Sequence, residues 1–249
     1  FRCFPGQGEM DLAGFLAPIL ATGYRGPLSL EIFNDGFRAA PTRANAADGL
    51  RSLLYLEETT RAVLERSAPL AEPELLFAPP PASSCDGIEF LEFAVDDASG
   101  AKLGNWLEGL GFARAGKHRS KNVSLLRQGE INLILNAEPY SFAHNFFESH
   151  GPSLCATAIR VRHSAQALAR AVAYHGQPYR GLVGPNEREL AAVRAPDGSL
   201  IYLVDQGADG RTIYDTDFSL SEQPAHGLGL TRIDHMALAL PADSLDSWV

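Results

Sequence analysis

The sequence predicts two fold classes in series, an α/β region that forms the C-terminal piece of a (β/α)8 barrel and an α+β region of tandem βαβββ modules. Three observations predict this order. Residues 1–66 alternate helical and strand-like periodicity, residues 67–86 are rich in Pro, Ala and Ser, and a strand–helix–strand pattern recurs after Gly87. Because a complete barrel takes about 250 residues, the first region holds only part of one.

The first region is predicted to run helix, strand, helix. Asp11 is a candidate N-cap for an apolar stripe at residues 12–20, and Gly23 fits the end of that helix. The run Leu28–Phe33 is a short apolar strand, and leucines at residues 50–64 predict a second helix. A strand between two helices is predicted to be parallel and covered on both faces.

Glu31 is the candidate functional residue of this strand. Alternation places Ser29, Glu31 and Phe33 on one face and Leu28, Leu30 and Ile32 on the other. A carboxylate near the C-terminal end of a barrel strand lies where that fold places its chemistry. The residues leave two roles open, a metal ligand or an ion pair with an arginine inside the barrel. Asn34 and Asp35 either line the same pocket or form an ordinary turn before Gly36.

The second region follows a predicted linker at residues 67–86. Three segments open alike, and each of the first two continues as β-α-β-β-β over roughly fifty residues: Ile88–Val95, Ala156–Val161 and Ile233–Leu240. Residues 87–206 are therefore predicted to be a module pair able to fold alone. Residues 207–230 are predicted to be a connecting loop, and residues 231–249 the truncated start of a second pair.

The composition limits the classes of molecule that the chain is expected to bind. The net charge of -9 disfavours nucleic acid and anionic membranes, and no apolar run approaches the ~18 residues that span a bilayer. Three cysteines without metal-type spacing indicate a reduced, cytoplasmic protein. Because the first residue is Phe1 rather than Met, we expect an internal fragment of a longer chain.

The tandem βαβββ pattern resembles the vicinal oxygen chelate superfamily, and most closely the 4-hydroxyphenylpyruvate dioxygenases. In that family a first, metal-free pair precedes a pair that opens with a motif like Ile233-Asp-His235. The resemblance implies that His235 is the first of two His and one Glu that bind a divalent metal, Mg or Fe(II). Aligning the three openings places Phe90 and Ala156 at the position of His235, and the family's Glu falls near Asn132 and Tyr202. Residues 87–206 are therefore expected to be metal-free.

Residues 1–66 resemble the end of a xylose-isomerase-like barrel of the bacterial 3-dehydroshikimate dehydratases, on the motifs Phe4-Pro-Gly-Gln-Gly8 and Gly26-Pro-Leu-Ser-Leu-Glu-Ile-Phe33. The resemblance implies a lyase that removes water from 3-dehydroshikimate to give protocatechuate. Its divalent metal (Mg, Mn or Co) would be held by four side chains, of which Glu31 matches the last. Arg2 is the candidate for binding the substrate carboxylate. The other three ligands would precede Phe1, so this chain alone is expected to be inactive.

Other functions stay open: a true 4-hydroxyphenylpyruvate dioxygenase, which is an Fe(II) oxidoreductase, and another sugar or inositol isomerase or dehydratase barrel. A fourth reading is that the paired modules only bind a small molecule or scaffold a dimer. The expected partner is a small-molecule substrate, and a homo-oligomer is also left open.

The remaining histidines show no ligand spacing and are expected to have surface or packing roles: His118, His144, His150, His163, His175 and His226. Core positions are predicted for Trp106, Leu107 and Leu110 and for Phe142, Phe146 and Phe147.

Overall fold

The computed structural model describes residues 2–67, 75–207, 210–221 and 227–237. The chain divides into two units, one built mainly from the residues before Pro81 and the other from Pro81–Val172 and Gly176–Ala237. Each unit has its own core. His226 and the end of the third repeat, at residues 238–240, lie outside the described residues.

The first unit is helical in its described residues, with α1 (Leu12–Ala21), α2 (Asp35–Ala39) and α3 (Thr42–Ser67). As predicted, Asp11 caps α1, since its Oδ1 accepts a hydrogen bond of 2.8 Å from the Gly14 N–H. Phe4 and Phe37 stack with ring centroids 4.4 Å apart and are buried together with Ala17 and Leu64. No helix in the described part of the chain is long and apolar enough to cross a membrane.

The predicted strand Leu28–Phe33 is wrong as a hydrogen-bonded strand. No strand pairs with residues 27–34 among the described residues, because all nine strands belong to the sheet of the second unit. A β-strand is defined by its backbone hydrogen bonds to a neighbouring strand. A segment without such a neighbour can still alternate its side chains between two faces, but it does not form those hydrogen bonds.

The Asp35-Gly36 pair begins a helix instead of forming an isolated turn. Asn34, which is extended at φ -131 and ψ 120, caps α2 by accepting hydrogen bonds from the N–H groups of Gly36 and Phe37. An Asx side chain before a short polar run serves a turn and a helix N-cap equally well, and the sequence did not separate the two.

The second unit contains one sheet of nine strands and four helices in its described residues. The strands are β1 (Cys85–Ala94), β2 (Ala113–His118), β3 (Val123–Gln128), β4 (Ile131–Asn136), β5 (Ser153–Val161), β6 (Pro178–Tyr179), β7 (Ala191–Arg194), β8 (Leu200–Val204) and β9 (Phe218–Leu220). The helices are α4 (Asp97–Gly109), α5 (Phe142–His150), α6 (Ser164–Ala173) and α7 (Ile213–Asp217). The predicted linker therefore ends before Cys85, where β1 begins.

The tandem βαβββ prediction is confirmed. The sheet order is β6-β7-β8-β5-β1-β4-β3-β2-β9, so each module places its first strand beside its last. β1 pairs with β4 and β5 pairs with β8 in parallel, whereas β1 and β5 join the modules antiparallel. A strand and a parallel neighbour require a crossover, which α4 and α6 open in the two modules.

The two faces of the sheet carry separate cores. One face packs under α4, with Leu107, Phe112, Leu126, Leu133 and Leu135 buried together. The opposite, inner face buries a second cluster: Phe90, Val123, Leu125, Ile134, Ala158, Val204, Ile213, Tyr214 and Phe218. Leu107 is buried as predicted, but the prediction for Trp106 is wrong, because its side chain points to solvent and is 63% exposed. Period 3.6 puts adjacent residues 100° apart, so only one of the two can face the sheet.

The predicted connecting loop at residues 207–230 contains ordered elements. Thr212 and Asp215 form a capping box that starts α7, and β9 then pairs with the edge strand β2. The following segment, residues 227–237, has no strand, so the predicted third opening strand is not formed over its described residues. This segment is nevertheless tied to the modules, since the Leu228 N–H donates to Gln128 Oε1 at 2.6 Å and the Glu130 N–H donates to the Thr231 carbonyl at 2.8 Å.

Candidate functional site

Glu31 lies on the exposed face of an extended segment. Burial alternates along the run, with Ser29, Glu31 and Phe33 exposed and Leu30 and Ile32 partly buried. The predicted alternation is therefore present over residues 29–33, but Leu28, predicted to face inward with Leu30 and Ile32, is 52% exposed. Glu31 is free to reach a ligand or an ion in front of this face.

Arg2 lies beside the end of the same segment. The Asn34 side chain donates a 2.7 Å hydrogen bond to the Arg2 carbonyl, and the Arg2 guanidinium carbon lies 5.5 Å from the centroid of the Phe33 ring. The structure thus brings Arg2 within two residues of Glu31 along the segment, although 28 positions separate them in sequence. A cation and a carboxylate ligand in one neighbourhood can orient an anionic substrate near an ion.

The Phe4-Pro-Gly-Gln-Gly8 loop is shaped by a glycine that approaches α3 closely. Gly6 has φ +89, and a Cβ there would lie 2.8 Å from the ring of Tyr55. The Phe4 N–H donates to the Gln7 side chain at 3.1 Å, which closes the loop on itself. Both features fix the backbone between Arg2 and α1.

The described residues do not by themselves form a metal site. No group of three or more His, Cys, Asp or Glu side chains in this part of the chain is positioned to hold an ion. Glu31 offers one carboxylate, and Mg²⁺ or Mn²⁺ needs several oxygen ligands in near-octahedral geometry. Among the described residues, Glu31 is therefore a single candidate ligand for such a site.

His235 is also a single donor. Its side chain is 82% exposed, and its Nδ1 lies 2.9 Å from Asp234 Oδ2. A carboxylate at one ring nitrogen fixes the ring and leaves the other nitrogen for an ion, which is the usual arrangement of a metal-binding histidine. The bond also fits an ordinary exposed His–Asp pair, so the geometry is compatible with the predicted role and does not require it.

The sheet register gives the counterparts of His235 in the first pair. Leu91 pairs with Thr157, and on either side Phe90 pairs with Ala158 and Glu92 with Ala156. Superimposing β1 on β5, with Leu91 on Thr157, therefore places Phe90 on Ala156, as the sequence alignment predicts.

The counterparts on the last strands differ by two residues from the prediction. Glu92 pairs with Ile134 and Ala158 with Tyr202, so Tyr202 corresponds to Ile134 and not to Asn132. A shift of two residues keeps the same face, which explains why alternation could not detect it. None of these side chains is a carboxylate.

A buried carboxylate that the sequence interpretation missed lies on the inner face of β1. Glu92 is 7% exposed, and its Oε1 accepts a 2.6 Å hydrogen bond from the Asn136 amide. Burial raises the pKa of Glu92, and the hydrogen bond from Asn136 only partly opposes it. The alternation that singled out Glu31 also puts Glu92 inward with Phe90, so the signal was present in the sequence.

A second carboxylate near it is held in the charged form. Glu187 accepts hydrogen bonds from Lys121 Nζ at 2.6 Å, the Gly184 N–H at 2.5 Å and the Ser120 hydroxyl. Burial opposes the charge, but these bonds lower the pKa of Glu187 to about 2. Two of these partners, Ser120 and Lys121, lie in the loop between β2 and β3, more than 60 positions away in sequence, so the sequence interpretation missed the cluster.

The remaining described histidines form no ligand set. Burial lowers the pKa of His118, with the charges of Glu187 and Asp217 opposing, and its Nε2 lies 4.0 Å from Asp217 Oδ2. His150 Nδ1 lies 3.0 Å from the Phe146 carbonyl within α5.

Two βαβββ modules joined through their first strands define the vicinal oxygen chelate class of fold. Comparison with known proteins agrees: the family model described as hydroxyphenylpyruvate dioxygenase, HPPD, N-terminal, matches residues 80–219. The chain belongs to this family.

Similar proteins contain more than this family's domain. The chain is 76% identical over 249 residues to a Pseudomonas putida protein named 3-dehydroshikimate dehydratase, with all of this chain and 39% of that protein covered. A solved structure titled xylose isomerase-like TIM barrel/4-hydroxyphenylpyruvate dioxygenase fusion protein matches with a TM-score of 0.88 and 76% identity, covering 100% of this chain and 39% of that one.

The modules also match a smaller relative. A 4-hydroxyphenylpyruvate dioxygenase of Pseudomonas aeruginosa is 38% identical over 167 residues, covering 66% of this chain and 46% of that protein. The chain thus spans less than half the length of each of these relatives.

Proposed function

We propose that this chain is part of a metal-dependent hydro-lyase that converts 3-dehydroshikimate to protocatechuate and water. The names and the order of parts in the similar proteins support this activity. The observation that carries it is the exposed face of residues 29–33, where Glu31 stands in front of the segment and Arg2 lies at its end.

The proposed roles follow from the chemistry of a β-hydroxy ketone that carries a carboxylate. Arg2 would bind the carboxylate and fix the ring, since a guanidinium pairs with a carboxylate through two parallel hydrogen bonds. Glu31 would contribute one oxygen ligand to Mg, Mn or Co. Because the described residues do not complete the site, the other ligands would come from other parts of the intact protein, and the 249-residue chain alone would be inactive.

A second proposed metal position involves His235. Membership of the hydroxyphenylpyruvate dioxygenase family and the Asp234 carboxylate at its Nδ1 support a divalent ion, Mg or Fe(II), in the dioxygenase-like half of the intact protein. The same family match makes an Fe(II) oxidoreductase acting on 4-hydroxyphenylpyruvate the second candidate function.

The test uses the full-length protein that contains this chain. Protocatechuate formation from 3-dehydroshikimate is followed by absorbance with and without a chelator, for the parent, Glu31→Gln and Glu9→Gln, an exposed glutamate of the same unit. We expect chelator-sensitive turnover that falls on the order of 100-fold or more in Glu31→Gln and is unchanged in Glu9→Gln. Unchanged turnover in Glu31→Gln would remove its proposed role.

The second candidate is tested on the same preparations. Consumption of oxygen with 4-hydroxyphenylpyruvate, lost in His235→Ala, would establish the dioxygenase. We expect no such consumption, and we expect the dehydration rate of His235→Ala to equal that of the parent.

A further inference from the structure

The paired modules form a small cavity, open to solvent on one side, on the inner face of the sheet. Its volume is about 140 Å³, and it lies between β1, β3 and β4 on one side and the loop at residues 181–190 on the other. Phe90, Val123, Ile134, Leu190, Ile213 and Phe218 supply its apolar lining. It shares no residue with the segment of Glu31 or with His235.

Two aromatic side chains of the cavity lie on either side of a central strand with small side chains. In β5, Ala158 pairs with Phe90 on one side and with Tyr202 on the other, and Ala156 pairs with Glu92. The two aromatic rings approach across Ala158, with centroids 5.8 Å apart. Phe90 and Tyr202 both line the cavity, so an aromatic ring in it can pack against their rings.

Polar side chains also line this cavity. Glu92 is buried and uses Oε1 for the bond from Asn136, whereas its Oε2 has no hydrogen-bond partner among the described residues. The Tyr202 hydroxyl also makes no hydrogen bond within this part of the chain. These two oxygens are not among the buried, unpartnered side-chain atoms of the described residues, so both stay accessible. A carboxyl and a hydroxyl that line one cavity can each form a hydrogen bond with a ligand hydroxyl.

The loop that covers the cavity is tethered by an ion pair. Lys121 Nζ donates to the Leu182 carbonyl at 3.0 Å and to Glu187 at 2.6 Å, and the Glu187 carboxylate also holds the Gly184 N–H. Glu187 balances the charge of Lys121, and Asp205 balances that of Arg188. The described lining therefore presents no unpaired lysine or arginine and does not favour an anionic ligand.

The volume sets the size of the ligand. A cavity of about 150 Å³ lined by Leu, Ile and Phe holds one benzene molecule. The cavity here is of that size, but its lining is also polar, with charged side chains beside the Glu92 carboxyl and the Tyr202 hydroxyl. We propose that it binds an uncharged single-ring compound with a hydroxyl group, of the size of phenol, with the ring against Phe90 and the hydroxyl between Glu92 and Tyr202.

The experiment measures phenol binding to the full 249-residue chain by isothermal titration calorimetry, with benzene and benzoate as comparison ligands. Tyr202→Phe removes one hydroxyl and keeps the ring, and Glu92→Gln removes the acid and keeps the acceptor for Asn136. The control is Tyr24→Phe, which removes a hydroxyl from the larger cavity of about 670 Å³ in the first unit.

We expect saturable phenol binding that weakens about 2- to 10-fold in Tyr202→Phe and in Glu92→Gln, as the loss of one hydrogen bond predicts. Tyr24→Phe should bind phenol like the parent, and benzene and benzoate should bind the parent more weakly. If one variant fails to fold by circular dichroism, the other still decides.

Three results would overturn the proposal. They are the absence of saturable binding, equal affinity in the parent and in each folded variant of Tyr202 and Glu92, and a loss of affinity in Tyr24→Phe alone. Failure here would leave the dehydratase proposal untouched, because the two sites share no residue.

Discussion

The two units differ in how completely they satisfy their own buried groups. The described buried side-chain atoms without a hydrogen-bond partner are Asn45 Oδ1, Asp48 Oδ2 and Thr60 Oγ1, and all three belong to α3 in the first unit. In the second unit both polar atoms of the buried Gln128 amide have partners, since its nitrogen donates to the Leu110 carbonyl and its oxygen accepts from the Leu228 and Leu230 N–H groups. Burial without partners is costly, so we infer that the first unit is the less stable one.

The same contrast appears in the apolar residues. Phe15, Leu28 and Phe33 of the first unit are 65%, 52% and 69% exposed. Leu125 and Leu200 of the sheet are fully buried. The sheet unit closes its hydrogen-bond ladders and its cores, whereas residues 27–34 keep extended backbone without a ladder. Hydrophobic pattern alone therefore predicts which residues face inward and does not predict whether an inward face is covered.

The largest effect that tests this contrast is the removal of a core leucine. Leu125→Ala should lower the free energy of unfolding by about 2–5 kcal/mol, because a filled site becomes a cavity. Leu28→Ala, the same substitution at an exposed site, should change it by less than about 0.5 kcal/mol. Urea denaturation followed by circular dichroism measures both. Equal losses would show that residues 27–34 are as tightly packed as the sheet.

A smaller effect is expected where the 227–237 segment meets the modules. Gly129 has φ +56, and a Cβ there would lie 2.8 Å from the Leu230 carbonyl and 2.9 Å from that of Thr231. Gly129→Ala should cost about 1–3 kcal/mol and speed hydrogen exchange of the Leu228 and Leu230 amides.

The matched control is Gly198→Ala, which has φ +87 but nothing within 4 Å of the new Cβ. It should cost only about 1 kcal/mol and leave those two amides protected. If both variants exchanged alike, the contact with the segment would have no part in the effect.

The two cavity carboxylates should respond to pH with opposite sign. The pKa of Glu187 is about 2, below its ordinary 4.5, so the stability that it contributes is present above pH 4.5 and is lost as pH falls toward 2. The pKa of Glu92 is raised, so the folded state binds the extra proton and stability falls as pH rises above 4.5.

Thermal melting against pH checks both signs. Glu187→Gln should melt at a lower temperature than the parent at pH 7 and lose its difference near pH 2, with about 1–3 kcal/mol lost at neutral pH. Glu92→Gln should melt at a higher temperature at pH 7 and match the parent below pH 4.5. A Glu92→Gln protein less stable than the parent at pH 7 would contradict the assigned direction.

The smallest effect concerns the unpaired hydroxyl of α3. Thr60 is 1% exposed and its hydroxyl has no partner among the described residues, so Thr60→Val should raise the free energy of unfolding by about 0.5–1 kcal/mol. Thr59→Val is the control, because the Thr59 hydroxyl already donates to the Tyr55 carbonyl at 2.9 Å. Chemical denaturation should show no gain for Thr59→Val, and a gain in both would point to helix propensity instead of the unpaired hydroxyl.

Local patterns were enough to predict most of the sheet. The openings at Ile88–Val95 and Ala156–Val161 predicted β1 and β5, and their repeat predicted the module pair. The edge strand β9 and the short helix α7 were harder to predict from the sequence. β9 has three residues and α7 five, and each depends on a partner far away in sequence, β2 for the strand and the inner face of the sheet for Ile213 and Tyr214.

The candidate sites also divide into those that a local sequence motif indicates and those that depend on contacts distant in sequence. Glu31, Arg2 and His235 could be proposed from motifs, and their roles stay predictions because the described chain holds one donor of each expected set. The cavity of Glu92 and Tyr202 required the register of β1, β5 and β8, which no sequence pattern specifies.

The measurement that tests the central contrast most directly is native-state hydrogen exchange of the whole 249-residue chain, read by mass spectrometry. We predict that the amides of β1, β4 and β5 exchange only through the rarest openings, whereas those of residues 27–34 exchange orders of magnitude faster, because they form no ladder. Protection of residues 27–34 equal to that of the central strands would contradict the account, since it would require a strand partner that the described residues do not provide.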